Sequence, residues 1–201
     1  MTGVSTDFSF RIPDTWTDYH LSTQDFVARR AELRAQATTD AERSGVDDLI
    51  RLGREFVLRA RRQGAVSAAG VMDLSDQGLV MAFVMAAALE VPEGGEASLQ
   101  GLIRDLARPA TSDDGLGGRA ATAVVLPHAG PAAQMTGVEI VEITPEASAA
   151  MLTMTTIIPV PGTSRGFIVL TSVSPNLLLA DELMTVFADI ADTFTFEAAT
   201  G

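Results

Sequence analysis

Apolar residues recur at two different spacings along this chain, and the change between them does most to limit its fold. Up to about Gly64 they fall three and four residues apart, as along one side of a helix. Beyond it they mostly alternate with polar or small residues, as on one face of a strand. A chain that is mainly helical up to there, continues as strands and ends on another helical stripe belongs to the α+β class. Its helices are expected on the faces of an antiparallel β-sheet. The 201 residues are read as a single domain, residues 1–201. A domain of that size buries roughly 70% of its unfolded surface and needs no disulfide or metal to hold it.

Phe8, Phe10 and Ile12 alternate with polar neighbours as a short first strand, closed by Pro13. Ser22 and Asp25 form a capping-box pattern before Phe26, Val27, Ala31 and Leu33, which predicts a helix from Ser22. A longer helix is expected from Ser44–Gly45, with Asp47 completing its box; Val46, Leu49, Ile50, Val57 and Ala60 form its apolar face, and Gly64 stops it. Asp25–Arg29, Asp47–Arg51 and Glu55–Arg59 are spaced as acid–base pairs on exposed helix faces. Strands follow at Val66–Leu74 and Leu79–Glu90, joined through Ser75-Asp76-Gln77-Gly78 and ended by Pro92–Gly95. Ser98–Ala107 carries helical spacing, and Pro109–Gly118 reads as a polar loop. Ala120–Leu126, Gln134–Ile143, Ala149–Val160 and Gly166–Val173 form a meander. Ser174–Pro175 is expected to cap a last helix with Leu179, Leu183, Phe187 and Ile190 inward, and Phe194–Phe196 to add an edge strand.

Charge divides the chain at the same place. Ten arginines balance ten acids up to Arg62, whereas four arginines face sixteen acids beyond it and carry the whole net charge of −12. Such a charge repels phosphate backbones and anionic bilayers, so neither nucleic acid nor a membrane is an expected partner. The arginines of the helical part have acids beside them and read as a solvated, balanced face. There is no cysteine, which excludes disulfides, thiolate ligation and thiol nucleophiles. There is no lysine either, which excludes a phosphate-loop lysine and Schiff-base chemistry. Arginine without lysine, beside abundant alanine, points to a GC-rich genome of actinobacterial type. No cationic start leads into an apolar stretch, and the longest apolar run, Leu79–Leu89, has eleven residues against the roughly 20 of a membrane helix. The expected address is the cytoplasm.

The element order resembles that of the PsbP-like α/β/α sandwich superfamily, which takes in LpqN-type and DcrB-like small proteins. The residues carrying the likeness are Phe10-Arg11-Ile12-Pro13-Asp14-Thr15-Trp16, Pro159-Val160-Pro161-Gly162 before an apolar strand, and Ser174-Pro175-Asn176 leading into a helix with Phe187 and Ile190. The resemblance implies an antiparallel sheet between helices and a binding or assembly role without catalysis. A chaperone or adaptor of a bacterial secretion or toxin system is compatible with it. The lipid anchor of LpqN-type proteins does not carry over, for want of a lipidation cysteine.

One catalytic pattern matches literally. Gly162-Thr163-Ser164-Arg165-Gly166 fits the nucleophile elbow of α/β-hydrolases, which needs a helix after the serine and a histidine later in the chain. A strand pattern follows instead, and His20 and His128 both precede Ser164. The pattern is read as a turn, and a serine hydrolase is the weakest of three functional readings. His20 and His128 lack further ligands at helical spacing, Asp113–Asp114 lacks the spaced oxygens of a calcium loop, and Gly115–Gly118 opens no helix. Neither metal nor cofactor is expected.

The methionines are the feature most suggestive of binding. Met72, Met81, Met85, Met135, Met151 and Met154 all fall on expected strands, and Met81, Phe83, Met85 and Leu89 share one face. Such a face is either adaptable binding surface or ordinary core. Trp16 and Tyr19, the sole tryptophan and tyrosine, stand close in sequence and either anchor an interface or cap the sheet end. Trp16, Tyr19, Met81, Phe83 and Met85 are therefore the candidate partner-binding residues. The leading reading is a non-enzymatic module that holds another protein, with room for a homo-oligomer. The alternative is a small-molecule carrier with an apolar pocket between sheet and helices.

Overall fold

The computed structural model describes residues 7–19, 24–75, 78–91, 98–99, 101, 120–144 and 147–197. Its elements are β1 (Phe8–Ser9), β2 (Thr17–Asp18), α1 (Gln24–Gln36), α2 (Asp40–Arg62), β3 (Ala65–Ser75), β4 (Gly78–Glu90), β5 (Ala120–Leu126), β6 (Gly130–Thr144), β7 (Ala147–Pro159), β8 (Gly166–Ser174), α3 (Ala180–Asp192) and β9 (Thr195–Phe196). Seven strands form one antiparallel sheet in the order β2-β3-β4-β8-β7-β6-β5, and β1 pairs with β9 as a separate ribbon. The α+β class read from the sequence is what the chain adopts. The helix expected at Ser98–Ala107, the Pro109–Gly118 loop and the Ser22 capping box lie wholly or mostly outside the described residues, as does His20.

The sheet is covered on both faces by different means. On its front face lie α1 and α2, whose Phe26, Leu33, Val46, Leu49, Ile50 and Val57 meet Tyr19, Met72, Met81, Phe83 and Met85. On its back face lies α3, whose Leu183 and Phe187 pack on Ala82, Leu152 and Met154, while Ile190 joins Val84, Ile158 and Leu170. Leu183, Phe187 and Ile190 are buried and Leu179 half-buried, so the stripe expected at the C-terminal end faces inward.

Helix α2 can lie close against the sheet because glycines leave room for Phe83. A β-carbon on Gly53 would sit 2.9 Å from Met72 Sδ and 3.1 Å from the Phe83 ring, and one on Gly70 would sit 2.4 Å from that ring. The ring fills the space that both positions vacate. Gly64, at φ +94°, ends the helix where a side chain would be strained, as its sequence position suggests.

Several elements depart from expectation: β1 covers only Phe8–Ser9, β2 has no counterpart among the expected strands, and β6 begins at Gly130 rather than Gln134. Helix α2 starts at Asp40, because Thr39 and Glu42 close a complete capping box one turn before the Ser44–Asp47 pattern. On α1, Val27 and Ala31 are exposed, and the inward stripe runs through Phe26, Leu33 and Ala37 instead. Ser174 does not cap the last helix. Its Oγ donates to the Met81 carbonyl at 2.7 Å and accepts from Asn176 N–H at 3.0 Å. The Asn176 side chain then accepts from Met81 N–H and donates to the Leu79 carbonyl, both at 2.8 Å. It supplies β4 with the partner that β8 would have provided had it continued, and a 3-10 turn, Leu177–Leu179, leads into α3.

Candidate functional site

The candidate partner-binding residues are split between the two faces of the sheet, four of them buried and Trp16 half-buried. Trp16 is half-buried against the back-face core, whereas Tyr19 lies in the front-face core, stacked on Phe26 at 5.0 Å and edge-on to Phe83 at 5.6 Å. Two residues of β2 separate them, so they grip the sheet edge from opposite sides. Met81 and Phe83 are 0% exposed and Met85 is 6% exposed, beneath α2. Their common face is real, but it is the face that α2 covers. Of the two readings of that face, adaptable surface or ordinary core, these three residues are core.

Burial shows in the chemistry of Tyr19. Loss of hydration pushes its phenol up to about 12; Arg29 opposes the shift, while Asp25 and Glu32 add to it. Arg29 itself ties α1 to β3, donating from Nε to the Met72 carbonyl at 2.8 Å and pairing with Asp73 at 3.2 Å and Glu32 at 2.8 Å. Asp47 of α2 takes Arg30 at 2.8 Å and also Arg34, both from α1, in place of the Asp47–Arg51 pair the spacing suggests. The two guanidiniums hold its carboxyl down at about 2.

The helix pair covers only part of the front face, and a cleft opens beside it. Pairing places side chains there in level rows: Phe83, Val173, Thr153 and Gly137, then Met85, Thr171, Thr155 and Met135, then Ala87, Val169, Ile157 and Ala133. The C-terminal end of α2 forms one wall with Phe56, Arg59, Ala60 and Gln63, and Glu139 and Val141 of β6 stand opposite. Between them is a hollow of about 260 Å³. Three threonines make its floor polar within an apolar surround. Thr153 is tied down, its Oγ1 donating to the Gly137 carbonyl and to Glu139, each at 3.3 Å. Of the candidate residues named from sequence, only Met85 lines this cleft.

Such an arrangement sets a hydrogen-bonding floor within an apolar surround. Apolar walls from Phe56, Ala60, Met85, Val169 and Val173 exclude water from a solute, and hydroxyls on a rigid sheet fix its polar groups. A second and larger hollow, of about 400 Å³, lies between Phe8–Ile12 and the Val66–Ala69 stretch of β3, with Asp18 in its lining and Val66 60% exposed. Ser164 is exposed in the β7–β8 turn, where Thr163 receives Gly166 N–H at 3.1 Å and a strand follows directly. His128 is exposed in the β5–β6 turn. Among the described residues no group of three histidines or acids converges as metal ligands, and no helix is long and apolar enough to cross a membrane.

The cleft residues missed in the sequence did leave one trace. Along the front face of β7, Met151 gives way to Thr153 and Thr155 before Ile157 restores an apolar side chain. A polar interruption within one face of a central strand marks where a covering element stops.

No protein-family model and no curated protein matches the sequence. Among solved structures, the chain is similar to LpqN of Mycobacterium tuberculosis, a protein involved in cell envelope biogenesis, with 12% identity and a TM-score of 0.43 over 98% of this chain and 87% of that one.

Proposed function

We propose that this chain is a non-catalytic binding protein whose cleft between α2 and the sheet holds a small amphiphilic molecule. The observation that carries this reading is the threonine floor, Thr153, Thr155 and Thr171, set in an apolar hollow at the end of the helix layer. The volume is just below the roughly 300–1,000 Å³ of sites for drug-sized ligands, so the occupant is small or only partly enclosed. Its apolar body would lie against Phe56, Ala60, Met85 and Val173, and its hydrogen-bonding end would meet the threonines, Gln63, Arg59 or Glu139.

Burial of Met81 and Phe83 favours this carrier reading over the protein adaptor, since the adaptor's named docking surface is core. Helix–sheet–helix layering is what kinship with the PsbP-like group implies, and that kinship is part of the proposal. The test is titration with the environment-sensitive apolar dye N-phenyl-1-naphthylamine. Saturable, one-to-one fluorescence enhancement is expected, abolished in Ala60→Trp and retained in Val27→Trp on the exposed side of α1. Absence of saturable binding, or equal binding by Ala60→Trp, would overturn the reading.

A further inference from the structure

The cleft at the end of the helix layer has one charged side chain on each of two walls, and the two are of opposite sign. Arg59 stands on the α2 wall and Glu139 on the β6 wall, with Thr153, Thr155 and Thr171 between them on the floor. Arg59 shares its helix face with Phe56, Ala60 and Gln63. It is half-buried, so its charge is set at the hollow rather than out in solvent. Glu139 is half-buried too, and its carboxylate leans over the floor, where Thr153 Oγ1 donates to it at 3.3 Å. Both have partners within the protein, and a guanidinium and a carboxylate each take several hydrogen bonds at once.

Different head groups fare differently between these walls. An anionic head meets Arg59 but sets its charge against Glu139, and a cationic head does the reverse. An uncharged head leaves both wall charges against an apolar body, which strips their water and returns nothing. A head with both charges satisfies the two walls together. It is also neutral overall, so the chain's net charge of −12 neither draws nor repels it. Threonine hydroxyls suit such a head as well, since each can donate to its anionic end or accept from its cationic end.

We infer, resting on the reading of this cleft as the binding site, that its occupant is a free apolar α-amino acid. The carboxylate lies on Arg59, the ammonium group on Glu139, and the side chain against Phe56, Ala60, Met85 and Val173. A zwitterionic phospholipid bears the same pair of charges on a body far too large for a hollow of about 260 Å³. Specificity comes from the walls: a ligand lacking either charge leaves a half-buried group facing it without a partner.

Displacement of N-phenyl-1-naphthylamine from the full chain tests this, with three competitors that share one apolar body. L-leucine carries both charges, isopentylamine lacks the carboxylate and isocaproate lacks the ammonium group. L-leucine is expected to displace the dye at about tenfold lower concentration than either, as the loss of one charge-assisted contact implies. In Arg59→Gln its advantage over isopentylamine should vanish, and in Glu139→Gln its advantage over isocaproate. Arg51→Gln, exposed on α2 and outside the cleft, removes the same charge as Arg59→Gln and should keep both advantages. Where a variant melts early, the three competitors on the wild type decide. Wild-type dye binding that does not saturate would overturn the cleft reading and the amino-acid assignment with it. Saturable dye binding displaced by L-leucine no better than by the other two, or a preference that survives both Arg59→Gln and Glu139→Gln, would overturn the amino-acid assignment alone.

Discussion

Two parts of the front face, on the same strands and the same side of the pleat, have opposite character. Under α1 and α2 the rows contain Met81, Phe83 and Met151, closed over with glycine at 53 and 70 to admit the Phe83 ring. Across the sheet in the Phe83 row, and one or two steps along the strands, stand Thr153, Thr155, Thr171 and Ala87, and the surface falls away into the cleft. The sheet does not change between them. What changes is whether a helix lies above, and the side chains match: large and apolar where covered, small or hydroxylated where the helix layer ends. The cleft opens where the helix cover ends.

That contrast is broken most severely by emptying the closed part. Phe83→Ala should cost about 3–5 kcal/mol, because the vacated space lies between Gly53 and Gly70 and neither can fill it. Phe187→Ala, equally buried on the back face, should cost a similar about 3–5 kcal/mol. Urea unfolding measures both, and a Phe83→Ala loss below that of an ordinary surface change would mean α2 does not close this region. Loosening the helix at its start is milder. Thr39→Ala removes the side-chain acceptor for Glu42 N–H and should cost about 1 kcal/mol.

The cleft should be nearly indifferent in stability. Thr171→Val, half-buried on its floor, is expected to shift stability within about 0.5 kcal/mol while changing dye affinity. Asp189→Ala, off the α3 stripe, and Ser164→Ala, in the β7–β8 turn, should stay within the same about 0.5 kcal/mol. Serine-probe labelling of the wild type that Ser164→Ala abolished would contradict the non-catalytic reading.

Alkaline titration sharpens the contrast from the closed side. The chain has one tyrosine, so absorbance at the phenolate band reports Tyr19 alone. Its pKa should be about 12 in the folded protein and near the ordinary value of about 10 in urea. The folded state thus disfavours the phenolate. The associated stability is whole below about pH 10 and is lost as pH rises toward 12. A folded-state value near the ordinary one would place Tyr19 in water and leave α1 detached. At the acid end Asp47, held down at about 2, contributes stability that is present above the ordinary carboxylate range and fades as pH falls toward that value.

Strand positions were legible because alternation and turn residues are local. Ala120–Leu126 was read to the residue, and β3, β4 and β8 to within a residue or two. Helix starts were less so, because two capping patterns compete near residues 39–47 and only their geometry selects Thr39. Ser174–Pro175 misled for a different reason: Ser174 and Asn176 bond to β4, more than 90 residues away, and no local pattern shows that pairing. The candidate site was half legible. That Met81, Phe83 and Met85 share a face follows from period-two spacing. Whether the face meets solvent depends on how closely α2 approaches, which Gly53 and Gly70 decide from distant positions in the chain. The cleft needs three strands and a helix end together, and only the Thr153–Thr155 interruption announces it.

The central claim is that the hollow at the end of the helix layer is where this chain binds, and methionine methyl groups report on it directly. Protein labelled at its methionine methyls is titrated with N-phenyl-1-naphthylamine and followed by carbon–proton correlation spectra, with resonances assigned by leucine substitution. Met85, at the cleft wall, should shift most and Met135, at the far end of the same row, less; Met154 and Met184, in the back-face core, should not move. Shifts confined to Met154 and Met184, or none at a concentration that saturates the dye signal, would place binding elsewhere and contradict the account.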